Sequence, residues 1–167
     1  GIGSLLSPIM TNAGQVTAAA GNGGVIITEV GTGGGVSFTA SATGAGDIVL
    51  RTASGVANHL TISGPVTTVD GQILISSDDA VTINAGISSA TGTITILANQ
   101  DGAGSDSFTQ ASAAIIQTAN NTANAVAIAV GGTGDANLGD LRANTSAGIG
   151  GTFDPKPAPF VAWAHGY

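Results

Sequence analysis

A short phrase recurs along this chain: a small residue, a variable one, an apolar one, a variable one, an apolar one. It is read at Gly23-Gly-Val-Ile-Ile, Gly34-Gly-Val-Ser-Phe, Gly46-Asp-Ile-Val-Leu, Asn58-His-Leu-Thr-Ile, Gly71-Gln-Ile-Leu-Ile, Asp79-Ala-Val-Thr-Ile, Gly92-Thr-Ile-Thr-Ile and Asn124-Ala-Val-Ala-Ile. Alternation with period two marks a strand with one buried face. Each phrase opens on a residue that tolerates a left-handed backbone. Copies separated by about a dozen residues leave no room for helices or long loops, and no segment sustains a period of 3.6. A strand-turn unit this short buries its apolar side only by stacking on its neighbours, so the pattern predicts a solenoid.

The repeat is clearest between Gly46 and Gly92. One coil runs from Gly46 to Asp70, and a slightly shorter one from Gly71 to Thr91. Each divides into three strands: Asp47–Arg51, His59–Ser63 and Pro65–Val69, then Gln72–Ser76, Ala80–Asn84 and Ile87–Ala90. Stacked in register, they turn Ile48, Leu50, Leu60, Ile62, Val66, Ile73, Ile75, Val81, Ile83, Ile87, Ile94 and Ile96 into one interior. Three faces and coils of roughly 21–25 residues describe an all-β chain folded as a single parallel β-helix, a solenoid by its period. Pro65 is expected to open its strand, where a ladder donor can be spared.

The repeat is less regular outside this stretch. Gly23 and Gly34 open phrases only about half a coil apart. Asn99 to Ser107 reads as a loop pushed out of its coil, the pattern resumes at Ala114–Thr118 and Ala125–Val130, and Gly131 to Gly151 reads as a worn coil or an edge. The expected organisation is an N-terminal cap or edge over 1–15, β-helix repeats over 16–152, and a C-terminal tail over 153–167. Ile2, Leu5, Leu6, Ile9 and Met10 are candidates to cap the first end. In the tail, Pro155-Lys-Pro-Ala-Pro159 breaks the pattern, and four of the six aromatics fall there: Phe153, Phe160, Trp163 and Tyr167. The tail is expected to be a terminal cap, or a docking strand that pairs with another subunit's open edge through Phe160, Trp163 and Tyr167.

Composition narrows the function. Of 167 residues only 8% are charged and 4% aromatic, and 27 are glycine. A globular enzyme ordinarily carries about a quarter charged residues, whereas this composition suits a thin object with a narrow aliphatic core under a neutral Ser/Thr/Asn surface. The net charge is −7, with only Arg51, Arg142 and Lys156 positive, which excludes a phosphate-binding nucleic-acid role and disfavours anionic membranes. No run approaches the roughly 20 apolar residues that span a bilayer. There is no cysteine, hence no thiol chemistry or thiolate metal site. The chain opens on Gly1, not Met, without a signal peptide, and is read as an excised or processed part of a longer protein.

Candidate chemistry is sparse, and the expectation is a protein that is not an enzyme. No Gly-x-Ser-x-Gly elbow occurs; Asn144-Thr-Ser-Ala-Gly148 comes nearest and lacks the first glycine. The two histidines are His59, expected outward on a strand, and His165 in the tail. Glycosidic cleavage needs two carboxylates facing each other across a sugar, and Asp47, Asp70, Asp78 and Asp79 are the acids available in the best-defined coils. Calcium is the remaining metal candidate, through Asn99, Asp101 and Asp106 in one loop and Asp135 and Asp140 in another; the expectation is solvated turn aspartates and no cofactor. Gly31-Thr-Gly-Gly-Gly35 is a turn and not a dinucleotide fingerprint. Asn120-Asn-Thr122 and Asn144-Thr-Ser146 match the glycosylation sequon. Thr93 and Thr95 form one Thr-x-Thr, but Gln72 and Leu74 align with them one coil back, so no ice-ordering array repeats.

Gly46-Asp-Ile-Val-Leu-Arg-Thr-Ala-Ser, His59-Leu-Thr-Ile-Ser-Gly-Pro-Val, Gly71-Gln-Ile-Leu-Ile and Ala80-Val-Thr-Ile-Asn-Ala-Gly-Ile-Ser are similar to coils of filamentous-haemagglutinin-like bacterial exoproteins. The resemblance covers roughly Gly23 to Val130 and brings no transferable active site. It implies a right-handed parallel β-helix and a non-enzymatic structural segment of an extracellular bacterial surface fibre or adhesin. Expected partners are glycans, neighbouring coils of a longer chain or other copies of itself. The alternative expectation is a subunit that assembles end to end into a filament or sheath through strand edges and its tail. A carbohydrate-active β-helix enzyme comes third.

Overall fold

The computed structural model describes residues 1–144 apart from 32, 56 and 57, together with the backbone of 149–150. The tail with Phe160, Trp163 and Tyr167 lies outside the described residues. All regular structure among the described residues is strand, and every pairing is parallel. The chain is a β-solenoid.

Numbered in chain order, the strands fall into two stacks. The first holds β1 (Ile9–Thr11), β3 (Val25–Glu29), β5 (Ile48–Thr52), β7 (Ile73–Ser76), β10 (Ile94–Ala98), β13 (Val126–Val130) and β16 (Ile149–Gly150). The second holds β2 (Gln15–Ala20), β4 (Val36–Ala42), β6 (Leu60–Thr68), β8 (Val81–Ile83), β9 (Ile87–Ser89), β11 (Phe108–Gln110), β12 (Ile115–Thr118), β14 (Ala136–Asn137) and β15 (Asp140–Arg142). Ile48 pairs with Ile73, and Ile73 with Ile94, so both central coils have the lengths expected from the sequence. The following coil swells, with Ile94 pairing to Val126. Much of the excess is the loop 99–107, which replaces the short link 77–80 of the coil before.

Where the sequence pattern suggests three faces, the structure has two stacks, the second of them bent. β6 runs through Gly64 and Pro65 as one strand, pairing with β8 through its first half and β9 through its second. The register of β4 on β6 shifts between Phe38 and Ala40, placing Thr39 against Gly64, where a Cβ would come within 2.2 Å of the Thr39 hydroxyl. Pro65 therefore sits inside a strand, at an irregularity where the missing donor costs no ladder bond.

Period-two alternation puts the expected interior inside. None of the twelve aliphatic side chains from Ile48 to Ile96 named above is more than 1% exposed. Phe38 and Phe108 join them as the largest fully buried groups. Full burial of one such side chain contributes roughly 1.5–3 kcal/mol, so a narrow stack suffices without a large core. The N-terminal apolar residues behave otherwise. Ile2 bridges to Val25 and packs on the core, but Leu5 and Leu6 are 63% and 97% exposed. Ser4 and Ser7 exchange backbone hydrogen bonds of 2.9 and 3.1 Å, which throws Leu5 and Leu6 outward as a tight turn and not over the core as a cap.

The phrase-opening residues also carry a different burden from the expected one. Among the eight openers only Gly34 (φ 104°) and Asn124 (φ 61°) are left-handed. The other glycines among them are there because the coils touch. A Cβ on Gly46 would lie 2.3 Å from the Gly24 nitrogen, on Gly71 2.1 Å from the Gly46 oxygen, and on Gly92 1.9 Å from the Gly71 oxygen. A rigid backbone atom cannot give way there. Gly92→Ala is expected to destabilise the fold by about 3 kcal/mol or more. Gly14→Ala, where nothing lies within 4 Å, is expected to shift stability by no more than about 0.5 kcal/mol. Urea-unfolding midpoints of the two variants check the contrast.

Candidate functional site

Polar side chains divide sharply between those consumed by the fold and those left over. One consumed group is a column of hydroxyls at the exit of the second stack, Thr68, Ser89 and Thr118, aligned by register. Thr68 Oγ1 donates to the Gly46 carbonyl at 2.9 Å and accepts from the Gly71 N–H at 3.3 Å. Ser89 Oγ repeats this one coil on, donating to Gly71 at 2.8 Å and accepting from Gly92 at 2.9 Å. Thr118 Oγ1 donates to Gly92 at 2.7 Å, but accepts from Asn120, because the coil has lengthened. Thr68 and Ser89 thus tie the glycine corner that opens their own coil to the one that opens the next, while Thr118 reaches only the corner that opens its own.

The acids of the best-defined coils do similar work. Asp47 accepts from the Gln72 N–H, Asp70 from the Thr91 hydroxyl, Asp78 from the Gly55 N–H and Asp79 from the Asn58 N–H, over 2.6 to 3.1 Å, and every partner belongs to an adjacent coil. They are corner staples, and they are not paired across a cleft. Glu29 is 2% exposed and accepts from Thr11 Oγ1 at 2.6 Å, the Gly31 N–H at 2.8 Å and the Ala13 N–H at 3.2 Å. This buried carboxylate clamps the first coil onto the second through charge-assisted bonds. Gln110, a polar residue in an inward position, is likewise satisfied by Ala114, Asp140 and Gly139.

The calcium candidates do not converge. Asn99 is buried at φ 52°, its Nδ2 donating to the Gly131 carbonyl at 2.9 Å, and its Oδ1 has no protein partner. Asp101 closes its own turn onto the Ala103 N–H, and Asp140 pairs with Arg142 at 2.6 Å on the surface. Among the described residues no three His, Cys, Asp or Glu side chains gather as metal ligands. His59 is exposed, as its place before Leu60 implies. Asn120 of the first sequon donates to the Thr91 carbonyl and accepts from the Thr122 N–H and hydroxyl, so its amide is engaged in a turn. Leu74 does face the same way as Thr95, which breaks the threonine array as expected.

What is left over lies on the outer face of the second stack. There Thr67, Ser88 and Gln117 align across β6, β9 and β12, one residue before the buried hydroxyl column. Beside them runs a second outward column, Pro65, Gly86, Ile115 and Asp140. Gly86 has no side chain between its two neighbours, and the gap is a notch of about 240 Å³ lined by Pro65, Thr67, Gly86, Ile87, Ser88, Ala113, Ile115 and Gln117. No charged group lines it. Periodicity marks most of these residues as outward, but it does not show that a glycine falls between a proline and an isoleucine in adjacent coils.

Comparison with models of known protein families, with characterised proteins and with solved structures gives no match in any of the three. Among the described residues no helix is long and apolar enough to cross a membrane.

The consumed groups give two expectations. Ser89→Ala strands a buried carbonyl and a buried N–H, and is expected to cost about 1–3 kcal/mol, read from thermal unfolding. Glu29→Gln turns an acceptor toward donors that it can no longer satisfy, and is expected to cost about 2 kcal/mol. Its loss of hydrogen-exchange protection should be concentrated at residues 9–13 and spare β5 to β10.

Proposed function

We propose that the chain is a non-enzymatic structural segment of an extracellular bacterial surface fibre or adhesin, of the filamentous-haemagglutinin-like kind that its coils resemble. Its work is stiffness and presentation. The observation that carries this reading is the fate of the reactive side chains: the acids of the central coils and the hydroxyls beside the glycine corners join one coil to the next. Such a stack resists bending because its corners, as well as its strands, are bonded to neighbouring coils. Its outer Ser, Thr and Asn side chains then serve as a neutral surface for glycans or neighbouring chains. Amide exchange of the purified chain should be slowest in β5 to β10, where strands and corners are both bonded. Uniformly fast exchange would overturn the reading.

A second reading, end-to-end assembly, is favoured by the first end of the stack. There β1 and β2 each have one unpaired edge among the described residues, and Leu5, Leu6, Ile9 and Met10 are exposed on or beside β1. Free edges and contiguous apolar surface are templates for association. On this reading sedimentation shows oligomers that grow with concentration, and Leu5→Ser/Leu6→Ser reduces them. A monomer at all concentrations leaves the plain structural segment standing.

A further inference from the structure

We propose that the Gly86 notch on the outer face of the second stack is a binding subsite for one ring of a neutral saccharide, with the chain of the saccharide running along the solenoid axis. The inference rests on the reading of this surface as one that contacts glycans, and adds where and by which groups.

Four observations converge on the notch. Its polar row is unspent: Thr67 Oγ1, Ser88 Oγ and the Gln117 side-chain amide make no hydrogen bond to the described residues, in contrast to Thr68, Ser89 and Thr118 one position along, which are bonded on both sides. The three stand in register on successive coils, spaced by about 4.8 Å, a periodicity on the scale of successive sugar units in an extended glycan. Pro65 and Ile115 supply apolar walls, matching a pyranose, which presents C–H groups on a face and hydroxyls at its rim. The lining carries no charge, and Asp140, one coil beyond Ile115, is paired with Arg142, so an anionic or cationic ligand finds no complement.

Thr67, Ser88 and Gln117 lie on strands, so the ladder holds their backbones; the short Thr67 and Ser88 side chains lose little ordering on binding, and the longer Gln117 loses more. About 240 Å³ accommodates a single ring. No aromatic side chain lines it, so the expected affinity for one site is in the millimolar range, and useful strength comes from many copies along a fibre.

The test is titration of the full chain with cellotetraose and chitotetraose, followed by amide chemical shifts, with a sulfated oligosaccharide of equal length as control. Binding is expected to move the amides of Thr67, Ser88 and Gln117 with either neutral probe and not with the sulfated one. Gly86→Val fills the notch; the space is open, the nearest atom to a Cβ there being the Ile115 carbonyl oxygen at 3.5 Å, so the fold survives and affinity falls by about tenfold or more. Ser88→Ala, which leaves the walls intact, is expected to weaken binding by a smaller factor. Shifts confined to another face, or binding unchanged in folded Gly86→Val, would place the glycan contact elsewhere and overturn the notch, leaving the structural reading in place. No response to either neutral probe also overturns it. Slow amide exchange in β5 to β10 would then leave the structural reading standing without it.

Discussion

The spacing of about 4.8 Å between hydrogen-bonded parallel strands is imposed on every turn of this chain, corners included, and corners are where it is hardest to meet. In the strands, side chains alternate in and out and backbones reach that distance freely. At the corner entering the first stack, one coil's backbone lies directly on the next, and Gly24, Gly46, Gly71 and Gly92 occupy positions with no space for a Cβ. That close approach brings the Gly46, Gly71 and Gly92 carbonyls within reach of Thr68, Ser89 and Thr118. Remove the glycines and the hydroxyl bridges lose their partners.

The same constraint explains how so few charges suffice. A thin solenoid has little volume in which to bury aliphatic surface, so each buried polar atom left unpaired would cost a large share of its stability. The chain meets this by bonding the hydroxyl column, Gln110 and Glu29 to neighbouring corners and coils, with Asn99 Oδ1 the exception among the described residues. Acids at the surface corners repeat the device. Carboxylates committed to backbone donors in neighbouring coils hold the coils together, which is why a structural role is the economical reading of their placement.

The faces that this bonding leaves free are the ones open to a partner. Thr67, Ser88 and Gln117 are exposed or half-buried next to residues that the fold consumes, and a glycine in the adjoining column opens a notch of about 240 Å³ among them. Rigidity and display are thus separated by a single residue step along each strand: odd and even positions face different environments, and the pleat keeps them apart.

Much of the architecture was legible in the sequence, because period-two alternation and a short coil-length repeat are local and additive. The aliphatic interior, the outward His59, the expanded loop after Ala98 and the broken threonine array all follow from counting along the chain. Other features depend on which residue of one coil lands on which residue of the next. The glycines looked like turn residues, but Gly46, Gly71 and Gly92 serve close approach, since only the stacked structure shows which backbone atoms lie against each. Leu5 and Leu6 looked like a cap, but a Ser4–Ser7 turn holds them outward. The middle and last faces merged into one bent sheet in which three residues of β6, Ser63 to Pro65, bulge opposite the single Thr39 of β4. The notch exists only because Pro65, Gly86 and Ile115, each a full coil from the next in the chain, become neighbours at the inter-coil distance. Sequence periodicity determined that the coils stack; the register between unequal coils, a tertiary quantity, decided what each surface offers.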